Sequence, residues 1–178
     1  MIKRMLTALV PCLALLAGAC GSNSKTTSHT TSSAPATSST TAPKGAVTVA
    51  AKSIKPYGKV LVNSSGRALY IFAPDKASKV TCTGACAKIW PPLMLSSGAK
   101  PAATDGVKAS LLGSDPSPSG GRVVTYKGWP LYTYVTDTSA GVAHGEGLNL
   151  NGGFWYLMSP SGNVVKSSTS KGGSTPYG

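Results

Sequence analysis

Gly66-Arg67-Ala68-Leu69-Tyr70-Ile71-Phe72-Ala73-Pro74-Asp75 and Gly128-Trp129-Pro130-Leu131-Tyr132-Thr133-Tyr134-Val135-Thr136-Asp137 are two versions of one stretch, set 62 residues apart. They share a Gly, a Leu, a Tyr, a second aromatic residue and an Asp at matching places, and a tryptophan follows each, Trp90 or Trp155. In a strand successive side chains alternate between faces, so Tyr70 and Phe72 mark one side of a sheet and Leu69 and Ile71 the other. Tyr132 and Tyr134 repeat the pattern. A unit this small cannot bury its apolar face alone; two copies are therefore expected to pack with rough two-fold symmetry and share a core.

The surrounding sequence agrees with strands. Helical periodicity is scarce, and short Val, Tyr and Leu runs are punctuated by Gly, Pro, Asn and Ser. Three hairpins are predicted. Val60–Val62 and Arg67–Phe72 flank Asn63-Ser64-Ser65-Gly66; Arg122–Tyr126 and Trp129–Tyr134 flank Lys127-Gly128; Phe154–Met158 and Asn163–Lys166 flank Ser159-Pro160-Ser161-Gly162. One helical turn fits Ala85–Ile89, stopped by Pro91-Pro92. The expected fold is mainly β: one duplicated domain, 46–178, of two pseudo-symmetric antiparallel repeats, sandwich or barrel-like, with at most short helical turns. The repeats are placed at about 57–95 and 120–167, with a C-terminal tail at 168–178.

Upstream of the domain the chain changes character twice. Residues 1–19 read as a signal peptide: Lys3 and Arg4 precede an apolar run, Met5–Leu16, too short to span a bilayer, and Ala17-Gly18-Ala19 forms a small-residue cleavage site. Cleavage there leaves Cys20 first, where a lipoprotein pathway attaches a diacylglyceryl group. Leu16-Ala17-Gly18-Ala19-Cys20 resembles the bacterial lipobox, with Ala17 standing where that pattern prefers Leu; ordinary secretion is the alternative. Two or three acyl chains, palmitate among them, contribute about 0.8 kcal/mol per buried methylene and anchor stably where one chain would not. Residues 21–45 hold 14 Ser and Thr in 25 positions and no aromatic residue, so the segment from Cys20 to Gly45 reads as a solvated tether.

The duplicated Tyr-x-aromatic-x-x-Asp motif behind such a leader resembles the predicted-lipoprotein family named for that motif, also described as a secreted repeat of unknown function. The resemblance spans roughly 57–167 and includes Cys82-x-Gly84-x-Cys86 and Trp90-Pro91-Pro92. It implies an extracytoplasmic protein and supplies no catalytic residue. The second copy lacks the cysteine pair and has Gly145, Gly147 and Gly152-Gly153 instead.

Of four cysteines, Cys12 leaves with the signal peptide and Cys20 carries lipid, so Cys82 and Cys86 remain as a pair in an exported protein, with a disulfide as the default. The alternative is a redox or copper-binding dithiol, with His144 and Met94 or Met158 as further soft ligands. A third reading makes Asp75 and Asp137 a paired-carboxylate hydrolase if symmetry brings them to one cleft; against it, each Asp caps a turn by accepting backbone N–H bonds. No Gly-x-Ser-x-Gly, no Cys-x-x-Cys-His and no phosphate-cradling loop before a helix is present, so no catalytic set, cofactor or metal site is assigned.

Charge is the remaining clue. Without Lys3 and Arg4 the chain keeps 15 basic against 5 acidic residues, a net charge of +10. Outside a cell this points to the membrane, through the anchor, and to anionic envelope polymers as partners, with nucleic acid set aside; solubility alone is the plainer account. The aromatic strands suit either a core or stacking on a glycan. The sequence therefore favours a non-enzymatic binding or structural component of the envelope.

Overall fold

A computed structural model describes residues 46–75 and 79–166. The signal peptide, Cys12, Cys20, the tether and the tail at 168–178 lie outside the described residues.

Eleven strands and one short α-helix form the described part. In chain order they are β1 (Thr48–Ile54), β2 (Gly58–Asn63), β3 (Tyr70–Phe72), α1 (Ala85–Ile89), β4 (Met94–Leu95), β5 (Ala102–Ala103), β6 (Leu112–Pro116), β7 (Arg122–Tyr126), β8 (Trp129–Pro130), β9 (Asn149–Leu150), β10 (Gly153–Met158) and β11 (Val164–Val165). They make three small sheets: β2-β1-β5, β11-β10-β3 with β9 also on β10, and β4-β7-β6 with β8 also on β7. The sheets are stacked like a sandwich and do not close into a barrel. Every strand pair within and between the repeats is antiparallel; the one parallel pair among the described residues lies outside them, where β5 runs beside β1 with Thr48 opposite Ala102. The linker between the copies thus supplies an edge strand.

The predicted hairpins form for identifiable reasons. Asn63 Oδ1 accepts the N–H groups of Ser65 and Arg67, each at 3.0 Å, which folds the first turn. Lys127 and Gly128, with φ of 52° and 77°, make the two-residue turn between β7 and β8, where both central residues need positive φ. Ser159 and Asn163 close the third, between β10 and β11. The helix occupies Ala85–Ile89 as read from the sequence. The first hairpin is shorter than expected: Ala68 bridges Val62, and from Tyr70 onward the strand leaves β2 and pairs with β10.

That departure reveals how the copies combine. Phe72, Ile71 and Tyr70 of the first copy pair with Trp155, Tyr156 and Leu157 of the second. Conversely, Met94 and Leu95, at the end of the first copy, pair with Val123 and Arg122 of the second. Each copy's last strand therefore completes the other copy's sheet. Alternation along β1, β2 and β3 then divides the apolar side chains between two cores. Ala50, Val60, Val62, Tyr70 and Phe72 enter one, with Trp90, Tyr132 and Trp155; Val49, Leu61, Leu69 and Ile71 enter the other, with Val124, Tyr126, Leu131 and Met158. The single shared core expected from the sequence is thus two, one on either face of strands buried on both sides, and the unbroken apolar run Val60-Leu61-Val62 is the trace of that double burial.

Candidate functional site

The repeated motif meets itself at the centre. The N–H of Tyr70 donates to the Tyr132 carbonyl at 2.8 Å, and the N–H of Tyr132 returns the bond to Tyr70 at 2.9 Å, so an approximate two-fold axis passes between the two tyrosines. Their side chains then cross it. The Tyr70 hydroxyl donates to Asp137 Oδ2 at 2.5 Å, and the Tyr132 hydroxyl donates to Asp75 Oδ2. All four residues are at zero exposure. The second oxygen of each carboxylate is held by the loop that follows: Asp75 Oδ1 accepts from Thr81 N (2.7 Å) and Oγ1 (2.6 Å), and Asp137 Oδ1 accepts from His144 N (2.9 Å) with His144 Nδ1 at 3.1 Å. Both carboxylates cap turns and both are clamped by the opposite copy's tyrosine.

Beside the clamps lies a stack of four rings. Trp90 and Trp155 face one another at 3.9 Å with planes 2° apart; Phe72 stacks on the outer side of Trp155 at 4.2 Å and Tyr134 on that of Trp90 at 4.1 Å. Tyr70 meets Trp90 edge-on at 5.4 Å, and Tyr132 meets Trp155 edge-on at 5.3 Å. The two edge-on contacts are the T-shaped arrangement that aromatic quadrupoles prefer, each contributing about 0.5–1.5 kcal/mol beyond area burial. The aromatic positions of the motif are thereby committed to the core. Trp90 and Trp155 were visible in the sequence as residues trailing each copy, but the contact between them was not, nor the role of Thr81 and His144. The only trace was a donor residue six or seven places after each Asp.

Burial and the carboxylate acceptors raise the Tyr70 and Tyr132 hydroxyls far above the ordinary phenol value, with desolvation the first cause in both. The consequence for stability has a definite sign. A raised folded-state pKa leaves its contribution intact below about pH 10; above that, the unfolded chain ionises these tyrosines while the folded one does not, and stability falls by about 1.4 kcal/mol per pH unit for each. Alkaline titration followed by ultraviolet absorption should show both tyrosines ionising only as the fold is lost. Smooth ionisation of every tyrosine in a protein that stays folded would contradict the clamp.

The copies differ around this shared centre. In the first, Cys82 and Cys86 form a disulfide, S–S 1.98 Å and Cα–Cα 5.2 Å, with Gly84 at φ 56° just ahead of α1. In the second, Gly145 sits in the corresponding place after the loop donor and gives its N–H to the Tyr70 hydroxyl at 3.2 Å. A Cβ on Gly145 would lie 2.7 Å from Trp90 and 2.9 Å from Tyr70, so close approach of backbone to rings requires glycine. Removing the disulfide, as Cys82→Ser with Cys86→Ser, is expected to lower unfolding free energy by about 2 kcal/mol, the loop-closure value for a five-residue ring, leaving the fold intact. Denaturant unfolding of the double variant measures it, and a chain that no longer folds would give the bridge a larger part.

The copper reading needs its ligands in one place. Here the two sulfurs are bonded to each other, Met158 is buried in the second core while Cys82 is in the first, Met94 is 38% exposed, and His144 is turned to Asp137. Among the described residues no group of three or more His, Cys, Asp or Glu side chains is placed to hold a metal ion. The hydrolase reading needs an open pair of carboxylates, and Asp75 and Asp137 are both closed off by tyrosines. His144 itself is exposed, and the half-buried Tyr57 has its hydroxyl pKa raised by burial and by the charges of Glu146 and Asp137.

Fold and centre together define a class: a duplicated β protein whose copies exchange strands and clamp each other through a repeated Tyr/Asp motif. A family model described as a secreted repeat of unknown function matches residues 51–94 and again 115–158, one match for each copy. The chain belongs to that secreted-repeat family and carries two copies of the repeat. The matches begin earlier than the repeats drawn from sequence, at β1 and β6 respectively. No curated protein and no solved structure matches the chain. Among the described residues no helix is long and apolar enough to cross a membrane.

Proposed function

We propose that the protein is a non-enzymatic component of a bacterial cell envelope, held to the outer face of the membrane by acyl chains on Cys20 and carried on the tether 20–45. One observation bears most of this reading: Tyr70, Asp75, Tyr132 and Asp137, the polar residues that define the repeat, are all at zero exposure and satisfy one another. A motif spent on joining two halves of a core specifies a scaffold. What the scaffold presents is charge. Among the described residues ten of eleven Lys and Arg are exposed, whereas Asp105 is the one exposed acid of five. Burying Asp75 and Asp137 and half-burying Asp115 and Glu146 leaves a surface on which exposed cations far outnumber exposed acids, suited to the phosphate groups of envelope polymers or lipid headgroups met at the end of a short tether.

Intact mass of the membrane-extracted protein tests the anchor. A lipid-sized gain that disappears in Cys20→Ala supports it; an unmodified chain released to the medium ends it. Retention of the full chain on immobilised poly(glycerol phosphate) tests the surface, with release as ionic strength rises past the point where the Debye length falls below about 8 Å. Equal retention on an uncharged polymer would remove the electrostatic part of the proposal.

A further inference from the structure

The two tyrosine clamps are alike in geometry but unlike in what stands behind them. Asp75 is backed by a hydroxyl, Thr81, and Asp137 by an imidazole, His144, which is exposed. The second clamp therefore runs from a buried phenol, through a carboxylate, to a titratable group in contact with solvent. The tryptophans are also unlike. Trp155 Nε1 donates to the Leu150 carbonyl at 3.1 Å, while Trp90 Nε1 is buried with no hydrogen-bond acceptor among the described residues. An indole that has lost an electron becomes a strong acid. With no base at its N–H, the Trp90 radical cation keeps its proton and remains a strong oxidant, so it is disposed to take an electron from a neighbour. Tyr70, edge-on at 5.4 Å, is a neighbour whose proton already has somewhere to go.

We infer that the aromatic core is a one-electron relay: an oxidising equivalent from a diffusible oxygen- or nitrogen-centred radical enters at Tyr134 or Trp90 and ends on Tyr70, whose proton leaves through Asp137 and His144. Tyr134 is the half-buried end of the stack and faces Trp90 at 4.1 Å; Phe72, at the other end, is not oxidisable at such potentials. The electron balance is simple. The oxidant gains one electron and becomes its anion; Trp90 loses one and regains it from Tyr70; Tyr70 loses one electron and its phenolic proton, leaving a neutral phenoxyl radical. The proton is taken by Asp137 Oδ2; the carboxyl, now neutral, no longer holds a proton on the imidazole that faces Oδ1, and a protonated His144 releases one to solvent from its exposed ring in its place. The relay goes beyond the scaffold reading and does not depend on the anchor. It would give an exposed envelope protein a defined resting place for oxidative damage, on a buried phenol and not on its half-exposed methionine, Met94.

Pulse radiolysis of the full chain with the azide radical, which oxidises indole, tests this by transient absorption. Decay of the tryptophan radical should match the rise of a phenoxyl radical in the native protein. Tyr70→Phe should abolish most of that rise while Tyr132→Phe leaves it, and Asp137→Asn should slow it by about a hundredfold, the scale of a lost general base, with Asp75→Asn unaffected. Because the buried variants risk unfolding, His144→Asn supplies an independent arm: its backbone N–H still caps Asp137, so the fold holds, and proton release to a pH indicator dye should slow with the phenoxyl yield unchanged. Equal loss in Tyr70→Phe and Tyr132→Phe, a phenoxyl signal that survives Tyr70→Phe in a folded protein, or proton release indifferent to His144 would each overturn the relay.

Discussion

Asp137→Ala is expected to destabilise the protein by about 3 kcal/mol, because it strips the acceptor from one buried hydroxyl and one part-buried backbone N–H at once, and each orphaned donor costs about 1–3 kcal/mol. That is a large share of the roughly 5–15 kcal/mol that holds a domain together. Asp75→Ala should cost a similar amount, since Tyr132 and the Thr81 backbone lose the same partners, although the exposed Thr81 hydroxyl can turn to water. Asparagine, which keeps one acceptor oxygen, should recover part of the loss at either position. A double-mutant cycle between Tyr70→Phe and Asp137→Ala isolates the clamp, with a coupling energy of about 1–3 kcal/mol expected for residues sharing a buried hydrogen bond. Additive single-variant losses would mean that the carboxylate acts through its own loop alone, without tying the copies together.

Trp155→Ala should be worse still, at about 3–5 kcal/mol, the usual cost of removing a large buried aromatic side chain. Trp155 is at zero exposure and touches Trp90, Phe72 and Tyr132, so the cavity would open at the junction of both copies. The carbonyl of Leu150, in β9, would also lose its donor. Phe154→Ala, one residue earlier on the same strand but 44% exposed, makes the matched control and should fall within about 1 kcal/mol of the native protein. Thermal unfolding followed by near-ultraviolet circular dichroism reads both. Comparable losses at 154 and 155 would place the stabilising contacts outside the ring stack.

Why some of this was legible in the sequence and some was not has a physical basis. Period-two alternation states which face a side chain takes, and it assigned Tyr70 and Phe72 to one core and Leu69 and Ile71 to the other. Turn chemistry is equally local, so Asn63, Lys127-Gly128 and Ser159–Asn163 announced their hairpins, and Pro91-Pro92 the end of α1. Strand exchange is different. Nothing in Met94-Leu95 says that its partner lies at 122–123 and not in its own copy, because a strand's hydrogen-bonding edge carries no sequence label. The parallel β1–β5 pair was hidden for the same reason, in a linker segment of two alanines. As for the central site, the motif Asp residues were read as turn caps, which accounts for Thr81 and His144 N–H; the tyrosine on the far side of each carboxylate depends on the two-fold axis, a tertiary fact.

The exchange of final strands also governs how such a chain must come into being. An exported polypeptide emerges N-terminus first, and the first copy, 51–94, reaches the outside while the strand that completes its sheet, β10, has still to cross. Until Asp137 arrives Tyr70 has no carboxylate, and until Trp155 arrives Trp90 has no stacking partner on one side. The first copy therefore waits, unfinished, for residues of the second, and closure of the fold requires that both copies have been delivered. A truncated product ending before β10 would leave both cores open to water and present its unpaired strands to any protease it meets, so quality control is written into the order of the strands themselves.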